Sequence, residues 1–364
     1  MHLLRRITTS GRFIPEIDGF RFLAIALVVM FHLNGAYRGQ PGPVFTAIAE
    51  RGAYGVQLFF TISGFILGLP FAAHYLTGKN PVNLRKYFLR RLTRLEPPYM
   101  LNILFVFAFG LFISGKLSVA NDIGHLLASL SYLHNAVYGH ESFINTAAWS
   151  LEIEIQFYCL APLLAKVFAL EHRRMVLLSA MLLIGGTQAI MQHPPARLSL
   201  SLAWELQYFL GGFLLADIYL TDWKEKPPKA WYWDAIAALG FVLVFSSTLT
   251  RGMSRLILPF CILLLYYAIF QSSAIGAFFR WWPITSLGGM CYTIYLYHAS
   301  VISVLSRHIG RQHFVISCTI LSAAIVFFSV IHFLLVEKPC MNPEWYKFRT
   351  GRPEQNVVTK QASA

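Results

Sequence analysis

The chain is a nearly unbroken succession of apolar windows, each close to the ~20 residues that a helix needs to cross a hydrocarbon layer at ~1.5 Å rise per residue. Eleven windows run over residues 20–36, 54–71, 98–114, 123–138, 147–169, 175–191, 200–220, 231–249, 256–270, 284–305 and 314–336. In lipid no water bonds an exposed N–H or C=O, so a spanning segment closes those groups on itself as a helix. The expected fold class is therefore all-α: a polytopic integral membrane helix bundle. Composition agrees, since 56% of the 364 residues are hydrophobic and 13% charged, whereas a soluble chain carries about 25% charged residues. No internal repeat, soluble domain or long linker interrupts the pattern, so residues 1–341 read as one membrane domain and residues 342–364 as a short polar cytoplasmic tail.

The formal net charge of +13 raises the question of a nucleic-acid partner. The basic residues argue against one, because they fall in short clusters between windows and not along one soluble face. They read as topology signals and as partners of anionic membrane lipids. Arg5, Arg6 and Arg12 precede the first window, and Lys79, Arg85, Lys86, Arg90, Arg91 and Arg94 separate the second from the third, so both places are expected in the cytoplasm. The next basic loop, with Lys166, Arg173 and Arg174, is cytoplasmic only if two segments cross before it, not three. The window 123–138 is short and carries His125, Ser129, Ser131, His134 and Asn135, so it is expected to be a short or re-entrant helix packed against protein. About ten crossings result, with both termini cytoplasmic. The Lys224, Lys226 and Lys229 loop and the basic tail (Lys338, Lys347, Arg349, Arg352) then also lie inside, and Arg251, Arg255, Arg307 and Arg311 are exceptions outside.

The N-terminal stretch has no small-residue cleavage site before the first window, which fits a retained helix better than a cleaved leader. Cys159, Cys261, Cys291, Cys318 and Cys340 are far apart with no CxxC, so neither a disulfide framework nor a metal site is expected. No permanently bound cofactor is expected either.

Ionisable residues inside apolar windows are costly and face the bundle interior, where they point to function. In GFRFLAIALVVMFH, Arg21 and His32 are eleven residues apart, so at about 100° per residue they return to one helix face about 16 Å apart. A histidine there can take a proton from a hydroxyl, and an arginine can grip phosphate or a carbonyl oxygen; the bland reading is a snorkelling arginine and an interhelical hydrogen bond. In RKYFLRRLTRLEPPY, Arg90, Arg91 and Arg94 crowd the start of the third crossing, with Pro97 and Pro98 suited to its first turn. That cluster is either a phosphate cradle for a nucleotide-bearing donor or a plain positive-inside anchor. In WSLEIEIQFY, Glu152 and Glu154 lie about 200° apart around the helix and cannot both face one site. A carboxylate near His32 would hold its tautomer or contact a sugar hydroxyl, or else form a structural pair. CYTIYLYH ends in His298, a catalytic candidate or a satisfied interhelical donor. GVQLFFTISGFIL supplies Gly55, Ser63 and Gly64, small residues that permit close helix approach.

In this order the segments resemble the membrane acyltransferase type 3 family, over residues 17–339. The family's opening pattern, a basic residue about ten positions before a histidine after an Ile-Asp-Gly-like turn, is matched by IDGFRFLAIALVVMFH. RRLTRLEPPY resembles its arginine-rich third helix and WSLEIEIQFY its Trp-Ser-Leu stretch, with the acid five positions after Trp149 falling on Glu154. CYTIYLYH resembles its late Tyr/His helix, where Tyr297 stands at a position the family often fills with tryptophan, and VEKP, with Glu337 and Pro339, its closing motif.

The resemblance implies an O-acyltransferase of the bacterial inner membrane. It would move an acyl group, most commonly acetyl, from cytoplasmic acyl-CoA (acetyl-CoA as co-substrate) to a hydroxyl of a glycan such as an exopolysaccharide or lipopolysaccharide. It assigns His32 as base or transient acyl carrier, Arg21 as guide or polariser, and Glu154 as support for His32. Arg90, Arg91 and Arg94 would hold the donor phosphates, while Trp149, Glu152 and His298 would contact the acceptor. Some members carry a periplasmic esterase-like domain; this sequence ends soon after its last window, so transfer is expected to finish in the membrane domain or on a separate partner. The alternatives are a glycan or lipid transporter, an acyltransferase for a small metabolite such as a macrolide, and a non-catalytic scaffold.

Overall fold

A computed structural model describes residues 4, 6, 13–37, 42–191, 193–245, 251–309 and 314–342. Arg5, Arg12, Arg311, Lys347, Arg349 and Arg352, and the tail beyond Asn342, lie outside the described residues. In chain order the helices are α1 (Pro15–Ala36), α2 (Pro43–Glu50), α3 (Gly55–Thr77), α4 (Leu84–Phe112), α5 (Val119–Leu130), α6 (His134–Tyr138), α7 (Trp149–Leu164), α8 (Arg173–Ile190) and α9 (Ala196–Ser199). They continue as α10 (Leu202–Thr221), α11 (Tyr232–Phe245), α12 (Arg251–Gln271), α13 (Ala274–Arg280), α14 (Trp282–Gly289), α15 (Cys291–Leu305), α16 (Phe314–His332) and α17 (Lys338–Cys340). The only β-pairing among the described residues is an isolated bridge between Ala230 and Ser272.

The protein is an all-helical, multi-pass membrane protein. Six helical stretches are long and apolar enough to cross a membrane by length and composition (residues 15–36, 43–77, 84–112, 196–221, 252–271 and 314–340), and two shorter apolar helices cover 232–245 and 291–305. That differs from ten uninterrupted spans because several windows are broken. The window 284–305 is split at Met290, where α14 ends in Gly288 and Gly289. Gly288 lies so close to α1 that a Cβ on it would sit 1.7 Å from the Asp18 carbonyl oxygen.

The window 123–138 divides into α5, of 12 residues, and α6, of 5. Leu117, just before α5, packs on Gly110 near the last turn of α4, and at the other end of α5 the Tyr99 hydroxyl donates to the Ser129 carbonyl at 2.8 Å. Tyr99 is midway along α4, so α5 descends to the middle of the bundle and the chain stays there. Ser129 and Ser142 share a 2.9 Å hydroxyl bond, and Asn145 donates to Asn102 at 2.7 Å and to the Leu296 carbonyl at 3.1 Å. Starting from this depth, α7 runs to the opening turns of α4, where the Tyr87 hydroxyl donates to the Tyr158 carbonyl at 3.3 Å. Thus α5 and α7 form one traverse with a break at its centre, and side chains satisfy the backbone groups that the break frees.

The start of α4 departs from expectation. Asn83 accepts the Lys86 N–H at 2.9 Å as an N-cap, so the helix begins at Leu84 and Pro97 and Pro98 fall inside it. Residues 84–94 contain no glycine or proline and one β-branched residue, Thr93, which favours helix ahead of the prolines.

The most extensive packing joins α3 to α10. A Cβ on Gly64 would lie 2.1 Å from the Phe209 carbonyl oxygen, and one on Gly212 would lie 2.2 Å from that of Thr61. Small residues let the two backbones touch, which is how helices gain dispersion contact where lipid removes the hydrophobic drive. Around this contact Phe209 stacks on Phe60 at 4.7 Å and on Phe157 at 4.0 Å. Gly212→Val is expected to prevent recovery of monodisperse protein from detergent, whereas Gly186→Ala, where an added Cβ meets nothing within 4 Å, should elute as wild type. Equal elution of the two variants would refute this account of the α3–α10 contact.

Candidate active site

Asp18, in the first turn of α1, is 1% exposed and holds two guanidinium groups. Arg6 Nε lies 2.7 Å from its Oδ1 and 2.9 Å from its Oδ2, and Arg21 Nη1 donates to Oδ1 at 2.7 Å. An acidic side chain also suits the positive end of a helix. Burial, with Arg21 next, draws the Arg6 guanidinium down to about 10 against the opposing pull of Asp18, so it stays charged at neutral pH. Neither Asp18 nor Arg6 stood out as a site residue from sequence, although Asp18 is the acid of the Ile-Asp-Gly turn.

Next to this pair lies a cavity of about 700 Å³ bounded by α1, α3, α4, α7 and α15. Arg21, Arg91, Arg94 and Glu154 all line it. Its exposed lining residues Lys79, Asn83, Lys86 and Arg90 belong to the α3–α4 connection and the first turns of α4, so the cavity opens there. The Arg91 guanidinium carbon sits 3.7 Å from the Tyr87 ring centre and 5.7 Å from that of Tyr158, and Arg91 donates to the Tyr87 carbonyl at 2.9 Å. The buried Nε of Arg94 has no hydrogen-bond partner among the described residues. Of the expected arginine cluster, then, Arg91 and Arg94 face inward and Arg90 stands at the mouth.

The two acids of α7 part company, as their spacing requires. Glu154 Oε1 accepts from Ser63 Oγ at 2.7 Å and from the Tyr158 hydroxyl. It therefore supports the cavity wall and does not orient His32, contrary to expectation. Its place on α7 puts it beside α3, a relation between helices that spacing along one helix does not contain. Glu152, 1% exposed, accepts the Asn135 N–H at 2.8 Å, and Asn135 Nδ2 donates to the Trp149 carbonyl at 2.8 Å. Trp149 packs edge-on to Phe60 at 6.5 Å. Neither Glu152 nor Trp149 lines the basic cavity; both brace the break between α5 and α7.

His32 and His298 meet, with ring centres 4.9 Å apart. His298 is fully buried, and its Nδ1 lies 2.8 Å from the Tyr295 carbonyl and 3.1 Å from that of Ile294. Carbonyl oxygens only accept, so Nδ1 carries the proton and Nε2 is left with a bare lone pair and no hydrogen-bond partner among the described residues. The histidine pair does not line the basic cavity. Tyr295 stands between them: it lines the cavity, its ring centre is 5.7 Å from that of His298, and its hydroxyl donates to the Ala147 carbonyl at 2.6 Å, 2.6 Å from Ser150 Oγ. The site thus has two stations, an arginine-lined cavity and a histidine pair, joined through Tyr295. Sequence reasoning missed Tyr295, Ser150 and Tyr158; all three sit in the motifs that yielded His298 and Glu154.

Removing the shared carboxylate leaves two nearly buried guanidinium groups unpaired, which costs about 3–5 kcal/mol when one partner of a buried ion pair is deleted. Asp18→Asn is expected to lower the thermal unfolding midpoint in detergent clearly, and Arg6→Gln to lower it less because Arg21 still balances Asp18. An unchanged midpoint in Asp18→Asn would rule out this role.

Residues 14–336 match the family model described as "Acyltransferase domain". The peptidoglycan O-acetyltransferase OatA of Listeria monocytogenes serovar 1/2a is 24% identical over 378 residues, covering 95% of this chain and 59% of that protein. The O-acetyltransferase OatA of Staphylococcus aureus (strain NCTC 8325 / PS 47) is 24% identical over 330 residues, covering 82% of this chain and 52% of that protein. The chain spans between half and three fifths of the length of these relatives. No solved structure matches. The matched region runs from the residue before α1 to the last turn before α17 and takes in both stations of the site, so the chain belongs to the acyltransferase type 3 family.

Proposed function

We propose that the protein is a membrane O-acyltransferase that carries an acyl group, most simply acetyl, from cytoplasmic acyl-CoA to a hydroxyl of a glycan. The observation that carries this reading is the single cavity holding Arg21, Arg91, Arg94 and Glu154 and opening at the basic α3–α4 end. The positive-inside rule assigns that end to the cytoplasm of a bacterial inner membrane. Ten traverses follow when α5 is counted with α7 and α14 with α15: α1, α3, α4, α5/α7, α8, α10, α11, α12, α14/α15 and α16. An even number returns the C-terminus to the side of the N-terminus. The names of the two OatA relatives support acetyl as the group, and one of them supports a glycan acceptor.

Arg90 and Lys86 at the mouth take the donor phosphates, and Arg91, held flat on Tyr87, offers its planar edge to a phosphate or carbonyl oxygen. The unspent Arg94 Nε–H and the Arg21 guanidinium are available to a thioester carbonyl, where charge develops as the carbon becomes tetrahedral. The acyl end approaches the histidine pair past Tyr295. His32 removes the acceptor hydroxyl proton, the oxygen forms a bond to the acyl carbon, and the C–S bond breaks. The thiolate of CoA leaves and is protonated, and His32 then releases its proton. His298, with a free Nε2, faces His32 and stabilises its protonated form.

General-base catalysis contributes about 10²–10⁴-fold, so His32→Ala should lose acyl transfer by at least about a hundredfold while the protein remains in the membrane. The measurement is ester-linked acetyl on envelope and extracellular glycans from cells with the wild type, the deletion and the variant. Arg91→Ala should raise the acyl-CoA concentration needed for half-maximal transfer. Retained acetylation in His32→Ala would end the mechanism, and unchanged acylation with accumulated intracellular glycan in the deletion would favour transport.

A further inference from the structure

A second polar cavity, of about 490 Å³, lies at the opposite end of α3 from the basic mouth. It is walled by the turn between α2 and α3, the first turns of α3, α10 and α12, and the last turn of α8. Gln57 lies in the first turn of α3, and Lys79 of the basic mouth follows that helix's last turn, so the second cavity lies a helix length, about 34 Å for 23 residues, from the basic mouth, while the inner end of the basic cavity, at Phe59 and Phe60, comes within a turn of Gln57. The volume falls in the range of about 300–1,000 Å³ usual for small-ligand sites.

The lining is rich in hydrogen-bond acceptors that the protein does not use. Glu205, 6% exposed, receives one long hydrogen bond, from Gln57 Nε2 at 3.4 Å. The buried Oε1 of Gln57 has no hydrogen-bond partner among the described residues. A carboxylate and an amide carbonyl therefore face a polar cavity with lone pairs to spare, and such groups select a ligand rich in donors. Of the two arginines of the lining, Arg51 donates to the Tyr54 hydroxyl at 2.7 Å, while Arg255 lies 5.1 Å from the Trp204 ring centre and donates to the Met191 carbonyl at 3.3 Å, so each spends one of its five N–H donors on these bonds. The cavity thus offers acceptors on Glu205 and Gln57 beside donors on Arg51 and Arg255, the mixture that the hydroxyls of a neutral ligand, donors and acceptors at once, can meet. Tyr54, Trp204 and Tyr208 supply apolar rings with polar rims, surfaces that suit a ligand with both C–H faces and hydroxyl edges.

We propose that this cavity is a saccharide-binding subsite for a neutral glycan, separate from the transfer site. Gly52, in the wall of the cavity's turn, backs onto Leu27 and Phe31 of α1, so the subsite adjoins the turn of α1 that carries His32. Its role in catalysis rests on the proposed glycan acceptor: it anchors one sugar of the acceptor while another unit reaches the histidine pair. Saccharide binding itself requires no acyl transfer.

The test uses the purified full chain in lipid nanodiscs, with chitotriose and maltotriose as probes, read by saturation-transfer difference NMR. Saturation should pass to the ring C–H protons of at least one trisaccharide, and Glu205→Gln and Trp204→Phe should each weaken binding by at least about tenfold, the scale of one charge-assisted hydrogen bond. Glu205→Gln is isosteric, and Trp204→Phe keeps an aromatic ring, so both variants are expected to fold; their melting curves check it. His32→Ala should bind as wild type, which separates failure of the subsite from failure of the transfer mechanism. Absence of saturation transfer to either trisaccharide, or binding undiminished in both cavity variants, would overturn the proposal.

Discussion

Two guanidinium groups share the carboxylate of Asp18 at the start of α1, and the basic cavity is built around that arrangement. Arg6, Arg21, Arg91 and Arg94 all line one cavity, and like charges repel strongly where water is scarce. Asp18 offsets part of this charge and fixes Arg21 by bonding it one turn along the same helix. Gly288 lets α14 press on the Asp18 carbonyl, so the ion pair and the seat of α14 and α15, which brings Tyr295 and His298, depend on the same turn. Arg94 is left with donor capacity, which is what an anionic or carbonyl ligand requires.

The other constraint is the break between α5 and α7. Ending a helix inside lipid frees backbone groups that need partners. Here the side chains of Tyr99, Asn145 and Glu152 meet the Ser129 carbonyl, the Ala147 N–H and the Asn135 N–H, at the cost of polar residues that would otherwise be available to substrate. The gain is a helix, α7, that begins deep in the bundle and places Ser150 and Glu154 on the cavity wall.

Much of this was legible in the residues. The apolar windows located the helices, and the opposed faces of Glu152 and Glu154 showed that only one of them could join a given site. What failed was information between helices. Periodicity reports which residues of a helix share a face, but not which neighbour that face meets, so Glu154 was assigned to His32 when it belongs with Ser63 and Tyr158. Hydropathy likewise does not register a break where glycines seat a helix end against a neighbour's backbone, which is why window 284–305 read as one span. Pro97 and Pro98 marked a helix start in sequence, but the Asn83 cap and the helix-forming run after it moved that start upstream.

The backbone contact of α3 with α10 at Gly64 and Gly212 has a mechanical consequence. Where two main chains touch, neither helix can slide without opening a gap along its length. The pair therefore acts as a strut, and the basic mouth and the second polar cavity, at its two ends, keep a constant separation. If a group passes from one side to the other, α3 is the stationary post of that passage, and the moving parts are the substrate arm and the side chains beside it.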